Sequence, residues 1–245
     1  MSETNIIEIF SSVQGEGKYV GCRQVFVRFA DCNLRCAYCD TDFSRQKFCS
    51  VETVANSDFF RQIKNPLSGG DVADIIKDFI FKAPIHSVSL TGGEPLLHWN
   101  FISELANELK KFNVKIFLET NGTLANELQK ILFAVDIISM DIKLPSAIGK
   151  NFFDLNERFL KVAQKKDLYV KIVVSEETPE REFYRAVDLI VNVSPKILLI
   201  IQPVTPVGKI KAAPPEKILK FQAAALKKLN DVRVIPQTHK IINLM

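Results

Sequence analysis

Residues 85–122 read IHSVSLTGGEPLLHWNFISELANELKKFNVKIFLETNG. Ile85–Leu90 and Val114–Leu118 are short runs of β-branched, aromatic and aliphatic residues, and Phe101–Phe112 between them is amphipathic with helical spacing. This is one β-α-β unit. The same alternation extends both ways, with strands predicted at Gln24–Phe29, Ile137–Ile142, Leu168–Val174, Ile197–Ile201 and Val232–Ile235. Helices are predicted at Val72–Phe81, Leu124–Phe133, Phe153–Gln164, Glu180–Val193 and Pro215–Leu229. Pro179 precedes an acidic first turn, and Pro214-Pro215-Glu216 opens the last helix. The strands are apolar almost throughout, as parallel strands covered by helices are. Alternating βα units imply a parallel sheet or barrel with right-handed crossovers. Six or seven units are too few for a closed eight-stranded barrel. An incomplete (β/α) barrel within one domain, residues 1–245, is therefore expected, with an open doubly wound sheet second. Phe43–Ser68 fits no such unit; it is polar at both ends and is expected to form an excursion over the site mouth.

In either architecture, reactive residues lie at the C-terminal ends of the strands. The informative motifs fall there. Three cysteines follow Gln24–Phe29, Thr91-Gly92-Gly93-Glu94-Pro95 follows Ile85–Leu90, and Glu119-Thr120-Asn121-Gly122 follows Val114–Leu118. Asp141 and Lys143 end the next strand and Gln202-Pro203 a later one, which points to one shared site.

The chain of 245 residues is 47% apolar, enough for a sizeable core, and its net charge of +4 is dispersed in pairs such as Lys110-Lys111 and Lys227-Lys228. Dispersed charge reads as solvated helix faces, so no nucleic-acid partner is expected. No apolar run approaches the roughly 18 residues of a membrane helix. The start MSETNIIEIF lacks a secretory pattern, so no membrane association and a cytoplasmic location are expected. Cytosolic thiols stay reduced, so the five cysteines point to metal ligation before disulfides. Cys32-Asn-Leu-Arg-Cys36-Ala-Tyr-Cys39 has C-x3-C-x2-C spacing, with which one loop can wrap three thiolates round an iron–sulfur cluster. Structural zinc usually wants two ligand pairs; there is no second C-x2-C, and His86, His98 and His239 have no zinc-type spacing. Three ligands on four irons leave one iron open to bind a reacting molecule. Cys22 and Cys49 read as plain small residues.

Cys32–Cys39 resembles the cluster motif of the radical S-adenosylmethionine superfamily, and Thr91–Pro95 resembles that superfamily's GGEP segment. The resemblance implies an incomplete (β/α) barrel of the radical S-adenosylmethionine type, with a [4Fe–4S] cluster on Cys32, Cys36 and Cys39. The open iron would take the amino and carboxylate groups of S-adenosylmethionine, whose reductive cleavage yields a 5′-deoxyadenosyl radical. Phe10-Ser-Ser-Val-Gln-Gly-Glu-Gly17, Arg28, Cys39-Asp40-Thr41 and Gln237-Thr-His239-Lys240 resemble, more narrowly, the 7-carboxy-7-deazaguanine synthase family. That family turns 6-carboxy-5,6,7,8-tetrahydropterin into 7-carboxy-7-deazaguanine and ammonia, on the route to deazapurines such as queuosine. By this resemblance Val13, Gln14, Gly15, Glu16, Arg28 and Thr91 contact the pterin, together with His239 and the carboxylate of Met245. A carboxylate and an amide suit the pterin edge, and the fork of Arg28 suits its carboxylate. Thr41 matches the Mg2+ ligand. Tyr38, Cys39, Asp40, Gly93, Ser139 and Asp141 would line the S-adenosylmethionine site with Lys143, Gln202, Pro203, Val204 and Thr205. Asp141-Ile142-Lys143 replaces the Ser-Pro-Lys of many relatives. A flavodoxin-like electron donor and a homodimer are also implied.

Each polar residue has a plainer reading. Arg28 alternates with Val27 and Phe29 and is compatible with a strand's outward charge; Glu16 is compatible with a solvated turn, and His239 with a packed histidine. Two other functions share the motif's chemistry: a glycyl-radical-activating enzyme acting on a protein, and a non-catalytic iron–sulfur or zinc module.

Overall fold

A computed structural model describes residues 2–39, 41–54 and 59–244. The chain opens with strands β1 (Glu3–Thr4), β2 (Ile6–Val13), β3 (Arg23–Phe29), β4 (Phe48–Glu52), β5 (Phe60–Lys64) and β6 (Leu67–Ser68). Helix α1 (Gly69–Lys82) then begins the alternation β7 (Ser87–Gly92), α2 (Trp99–Leu109), β8 (Lys115–Thr120), α3 (Ala125–Ile131) and β9 (Ile137–Asp141). It continues with α4 (Pro145–Ile148), α5 (Phe153–Ala163), β10 (Asp167–Val174), α6 (Glu180–Val193) and β11 (Leu198–Pro203), and ends with α7 (Pro215–Leu226), β12 (Val232–Val234) and α8 (Thr238–Ile241).

Ten strands form one sheet in the order β12-β11-β10-β9-β8-β7-β3-β2-β4-β5. From β3 through β7 to β12 every pairing is parallel. The sheet does not close on itself: this is the expected α/β incomplete barrel. The seven parallel strands are the seven the hydrophobic runs predict. Two regions differ from expectation. Ile6–Val13 forms a strand antiparallel to β3. Within Phe43–Ser68, β4 and β5 form a hairpin that extends the sheet beyond β2, and β6 pairs with β1. Cys49 and Val51 alternate inward into the main core, so this stretch is held at the sheet edge by its own apolar face. Among its described residues, only Phe43 reaches the central cavity.

The helices cover one face of the sheet. α1 starts on a capping box, in which Ser68 Oγ accepts from the Asp71 amide at 3.2 Å and Asp71 Oδ2 accepts from the Ser68 amide at 2.9 Å. α6 follows Pro179 with Glu180 and Glu182 in its first turn, where they complement the helix dipole. Its Phe183 stacks on Phe221 of α7, ring centroids 4.1 Å apart.

The other face carries the site, through the period-two alternation of strands. Near the strand starts, Phe117, Ile137, Tyr169, Leu198 and Ile200 form a small apolar layer packed by Tyr19. One step further along the same strands come Glu119, Ser139, Lys171 and Gln202, all at the cavity wall. An apolar plug thus closes the sheet's lower end, and the polar residues open towards the C-terminal ends.

Candidate active site

The cysteine loop follows β3 and is pinned by the ends of three other strands. The Gly93 amide donates to the Phe29 carbonyl at 3.0 Å and the Glu94 amide to the Asp31 carbonyl at 2.9 Å. A Cβ on Gly93 would lie 1.8 Å from the Asp31 oxygen, so only glycine lets β7 come this close. From the end of β8, Asn121 Nδ2 donates to Asn33 Oδ1 at 2.8 Å; beyond β9, the Ala147 carbonyl accepts from the Ala37 amide at 2.9 Å. Glu94 ties these pieces together from beneath. It is fully buried and accepts from Thr120 Oγ1 at 2.8 Å, the Asn121 amide at 2.8 Å and the Leu96 amide at 3.1 Å. Burial pushes its carboxyl up to about 7 against the opposing pull of those donors.

Two adjoining chambers lie above the apolar plug. The inner one, of about 320 Å3, is lined at one end by Cys32, Cys36, Tyr38 and Cys39. Gly93, Ser139, Asp141, Lys143, Gln202, Val204 and Thr205 also line it. Pro203 ends β11 beside them and is not part of the lining. Three buried polar atoms at these walls, Tyr38 Oη, Asp141 Oδ1 and Gln202 Oε1, have no hydrogen-bond partner among the described residues. Lys143 Nζ donates to Asp141 Oδ2 at 2.7 Å and sits 5.2 Å from the Tyr38 ring centroid. Burial opposes its charge, but Asp141 and other neighbours hold its ammonium well above the usual lysine range.

The outer chamber, of about 430 Å3, is lined by Val13, Gln14, Gly15, Glu16, Arg28, Thr91 and His239. Thr41, Glu16, Arg28, Thr91, Glu119 and Gln237 border both chambers. Arg28 is anchored on one side. Its Nε donates to Glu8 Oε1 at 2.6 Å and its guanidinium lies 5.8 Å from the Phe10 ring centroid; neither Nη has a hydrogen-bond partner among the described residues. Gln14 is turned inward. Its Nε2 donates to Glu119 Oε1 at 2.9 Å and Gln24 Oε1 at 3.2 Å, and its Oε1 accepts from the Glu16 amide at 3.0 Å. That leaves Gln14 one acceptor position. The loop is held from the chain end by the Thr238 amide and hydroxyl on the Gly15 carbonyl, at 2.8 and 3.0 Å. The His239 ring fills the space a Cβ on Gly15 would take.

Of the residues singled out in the sequence, Asp40 and Met245 lie outside the described residues. Cys22 and Cys49 line neither chamber. Four residues that sequence reasoning left without a role stand at the centre: Glu8, Glu119, Lys171 and Gln237. Lys171 Nζ bonds Glu16 Oε2 and approaches Asp141 Oδ2 at 3.5 Å, while Gln237 Nε2 donates to Glu16 Oε1 at 2.7 Å. Burial pushes the Glu16 carboxyl up, but Lys171 and Gln237 outweigh it and hold it at about 2. Burial likewise opposes the charge on Lys171, and Glu16, Asp141 and Glu119 raise its ammonium far above the usual range. A signal for Lys171 was present in the sequence: a lysine inside the otherwise apolar Val170–Val174, in a strand covered on both faces, is there for a partner.

No three His, Cys, Asp or Glu side chains among the described residues converge as they would on a single ion. A cluster takes each thiolate on a separate iron, so Cys32, Cys36 and Cys39 around one end of a cavity suit it. The three unpartnered polar atoms at the walls suit an organic group lying in that cavity.

Residues 27–190 match the model of the radical SAM superfamily, and the chain belongs to it: it is a radical S-adenosylmethionine protein, which implies a [4Fe–4S] cluster and S-adenosylmethionine. A 7-carboxy-7-deazaguanine synthase of Geobacter sulfurreducens is 41% identical, covering 96% of this chain and 95% of its own. One of Methanocaldococcus jannaschii is 36% identical, covering 98% and 100%. Within the superfamily, this chain is a member of the 7-carboxy-7-deazaguanine synthase family. The crystal structure of QueE from Escherichia coli superposes with TM-score 0.65 over 97% of this chain and 95% of that one, at 19% identity, a likeness of fold.

Proposed function

We propose that this chain converts 6-carboxy-5,6,7,8-tetrahydropterin to 7-carboxy-7-deazaguanine with loss of ammonia, in deazapurine biosynthesis of the queuosine type. The observation that carries this is the pair of adjoining chambers, one ending in three cysteines and the other carrying the half-anchored Arg28. When bound, the cluster and S-adenosylmethionine supply a carbon radical able to take hydrogen from the substrate.

The protein's own residues bind and orient. Cys32, Cys36 and Cys39 hold the cluster, and Cys39, the exposed one, faces a flavodoxin-like donor. Asp141 Oδ1 and Gln202 Oε1 accept hydrogen bonds from S-adenosylmethionine, which Tyr38, Gly93, Ser139, Lys143, Val204 and Thr205 enclose. In the outer chamber, Glu8 and Phe10 hold Arg28 so that its two Nη groups fork the pterin carboxylate. Glu16, Thr91 and His239 meet the rest of the pterin, and Glu119 turns Gln14 and Thr91 into place, with Thr91 Oγ1 donating to Glu119 Oε2 at 2.9 Å. Thr41, on the border of both chambers, helps hold Mg2+ against substrate oxygens, a hard cation keeping part of its water. The protein works as a single-domain unit, in a homodimer and in the cytoplasm. No helix among the described residues is long and apolar enough to cross a membrane.

The test is a split in binding, measured by anaerobic equilibrium dialysis on cluster-loaded protein. Arg28→Ala is expected to weaken the pterin by about tenfold to somewhat over a hundredfold, the worth of an ionised hydrogen bond, with S-adenosylmethionine affinity retained. Gln202→Ala is expected to do the reverse. Pterin affinity indifferent to Arg28→Ala would contradict the assignment.

A further inference from the structure

Lys171 touches both Glu16, on the border of the two chambers, and Asp141 of the inner one. It lies on β10, and its Cα pairs with that of Asp141 on β9, so both side chains project from the same face of the parallel sheet. Its ammonium bonds Glu16, which borders both chambers, and reaches Asp141, which lines the inner one, at 3.5 Å. The side chain is only 10% exposed, so little water competes for the charge. Asp141 is itself asymmetric. Its Oδ2 takes Lys143 and Lys171, and its Oδ1 is buried with no partner. Glu16 already accepts once on each oxygen, from Lys171 on Oε2 and from Gln237 on Oε1, which leaves each oxygen one further lone pair. A ligand that brings donors to Glu16 must therefore compete with these two or share with them.

From this arrangement we propose that Lys171 is a positioning residue that couples the two chambers, so that pterin binding at Glu16 tightens the binding of S-adenosylmethionine at Asp141. The proposal rests on the reading of the chambers given above. When pterin donors satisfy Glu16, the Lys171 ammonium shifts towards Asp141. There it fixes Oδ2 and so aims the unpartnered Oδ1 at the cofactor. Linkage makes the effect reciprocal, and couplings of this kind are typically about 5- to 150-fold in affinity. Cofactor would then be held firmly only when substrate is present to react.

The experiment measures the S-adenosylmethionine Kd of anaerobic, cluster-loaded protein by equilibrium dialysis, with and without saturating 6-carboxytetrahydropterin and without reductant. The wild type is expected to show a Kd ratio within that range, and Lys171→Met, close in length but uncharged, a ratio near one. Lys171→Arg keeps the charge and is expected to restore part of the ratio, which a merely structural role would not do. Cluster absorbance and Tm establish that each variant is folded. If Lys171→Met does not fold, Asp141→Asn severs the other end of the link in the same shape and must also lower the ratio. A wild-type ratio of one, or an undiminished ratio in either variant, would overturn the coupling. A wild type that binds no pterin, or whose pterin affinity ignores Arg28→Ala, would remove the reading of the chambers instead.

Discussion

Gly93→Ala is the smallest change expected to dismantle the cluster site without touching a ligand. The new methyl would be placed 1.8 Å from the Asp31 carbonyl oxygen, a backbone atom that has no rotamer by which to move aside. Ordinary carbon–oxygen contacts are about 3.3–3.6 Å, so β7 and the cysteine loop must part by roughly 1.5 Å. Asp31 immediately precedes Cys32, and the separation passes directly into the first ligand. It also breaks the 2.9 Å bond from the Glu94 amide to that oxygen. Over-packing costs about 1–3 kcal/mol and a lost hydrogen bond about 0.5–1.5, so a local loss of about 2–4 kcal/mol is expected. The assay is iron and sulfide content after anaerobic reconstitution, beside Gly70→Ala, whose Cβ would meet nothing nearer than Ser68 Oγ at 3.7 Å. Gly93→Ala is expected to take up well under half the wild-type iron, and Gly70→Ala the full amount. Full iron and normal cofactor cleavage in Gly93→Ala would show that the close approach of β7 is not what shapes the loop.

Cys36→Ala is expected to abolish S-adenosylmethionine cleavage, while Cys22→Ala and Cys49→Ala retain it; activity in Cys36→Ala would refute the ligand set. Glu94, raised from 4.5 to about 7, contributes stability that is complete below about pH 4.5 and lost as pH rises through about 7. Relative to Glu94→Gln, the wild type should therefore lose about 3 kcal/mol across that window. Paired Tm–pH profiles check this, the cluster's own pH dependence being common to both proteins, and parallel profiles would count against it. Phe183→Ala, which removes the ring stacked 4.1 Å from Phe221, should cost about 3–5 kcal/mol in denaturant titrations and leave the cluster ligands in place. Thr41→Ala should raise the Mg2+ concentration needed for half-maximal turnover, and turnover unchanged after exhaustive chelation would discard the metal assignment.

The parallel part of the fold was legible because its strands are buried on both faces and so read as unbroken apolar runs, as in Leu198–Ile201. Strand β2 was not, because Glu8, Ser11 and Ser12 interrupt its apolar residues, and β4 carries only Cys49 and Val51 as inward apolar anchors, its Phe48 lying exposed. The cysteine and glycine motifs could be read locally, since their chemistry needs one loop. Pairings between chain-distant residues could not. Arg28 meets Glu8 through the register of an antiparallel pair, and Lys171 meets Glu16 across 155 residues of sequence. The motif places Gln14 at the substrate but says nothing of what holds it there. Its amide donors go to Gln24 and Glu119, which only the packing of three strands reveals.

The most direct measurement is an anaerobic reaction of cluster-loaded protein with 6-carboxy-5,6,7,8-tetrahydropterin, S-adenosylmethionine, a low-potential reductant and Mg2+, read by mass spectrometry and by ammonia release. The account predicts 7-carboxy-7-deazaguanine and ammonia in equal amounts, with no protein partner beyond the electron source and none of either from Cys36→Ala. An unconsumed pterin under conditions where S-adenosylmethionine is reductively cleaved would contradict it.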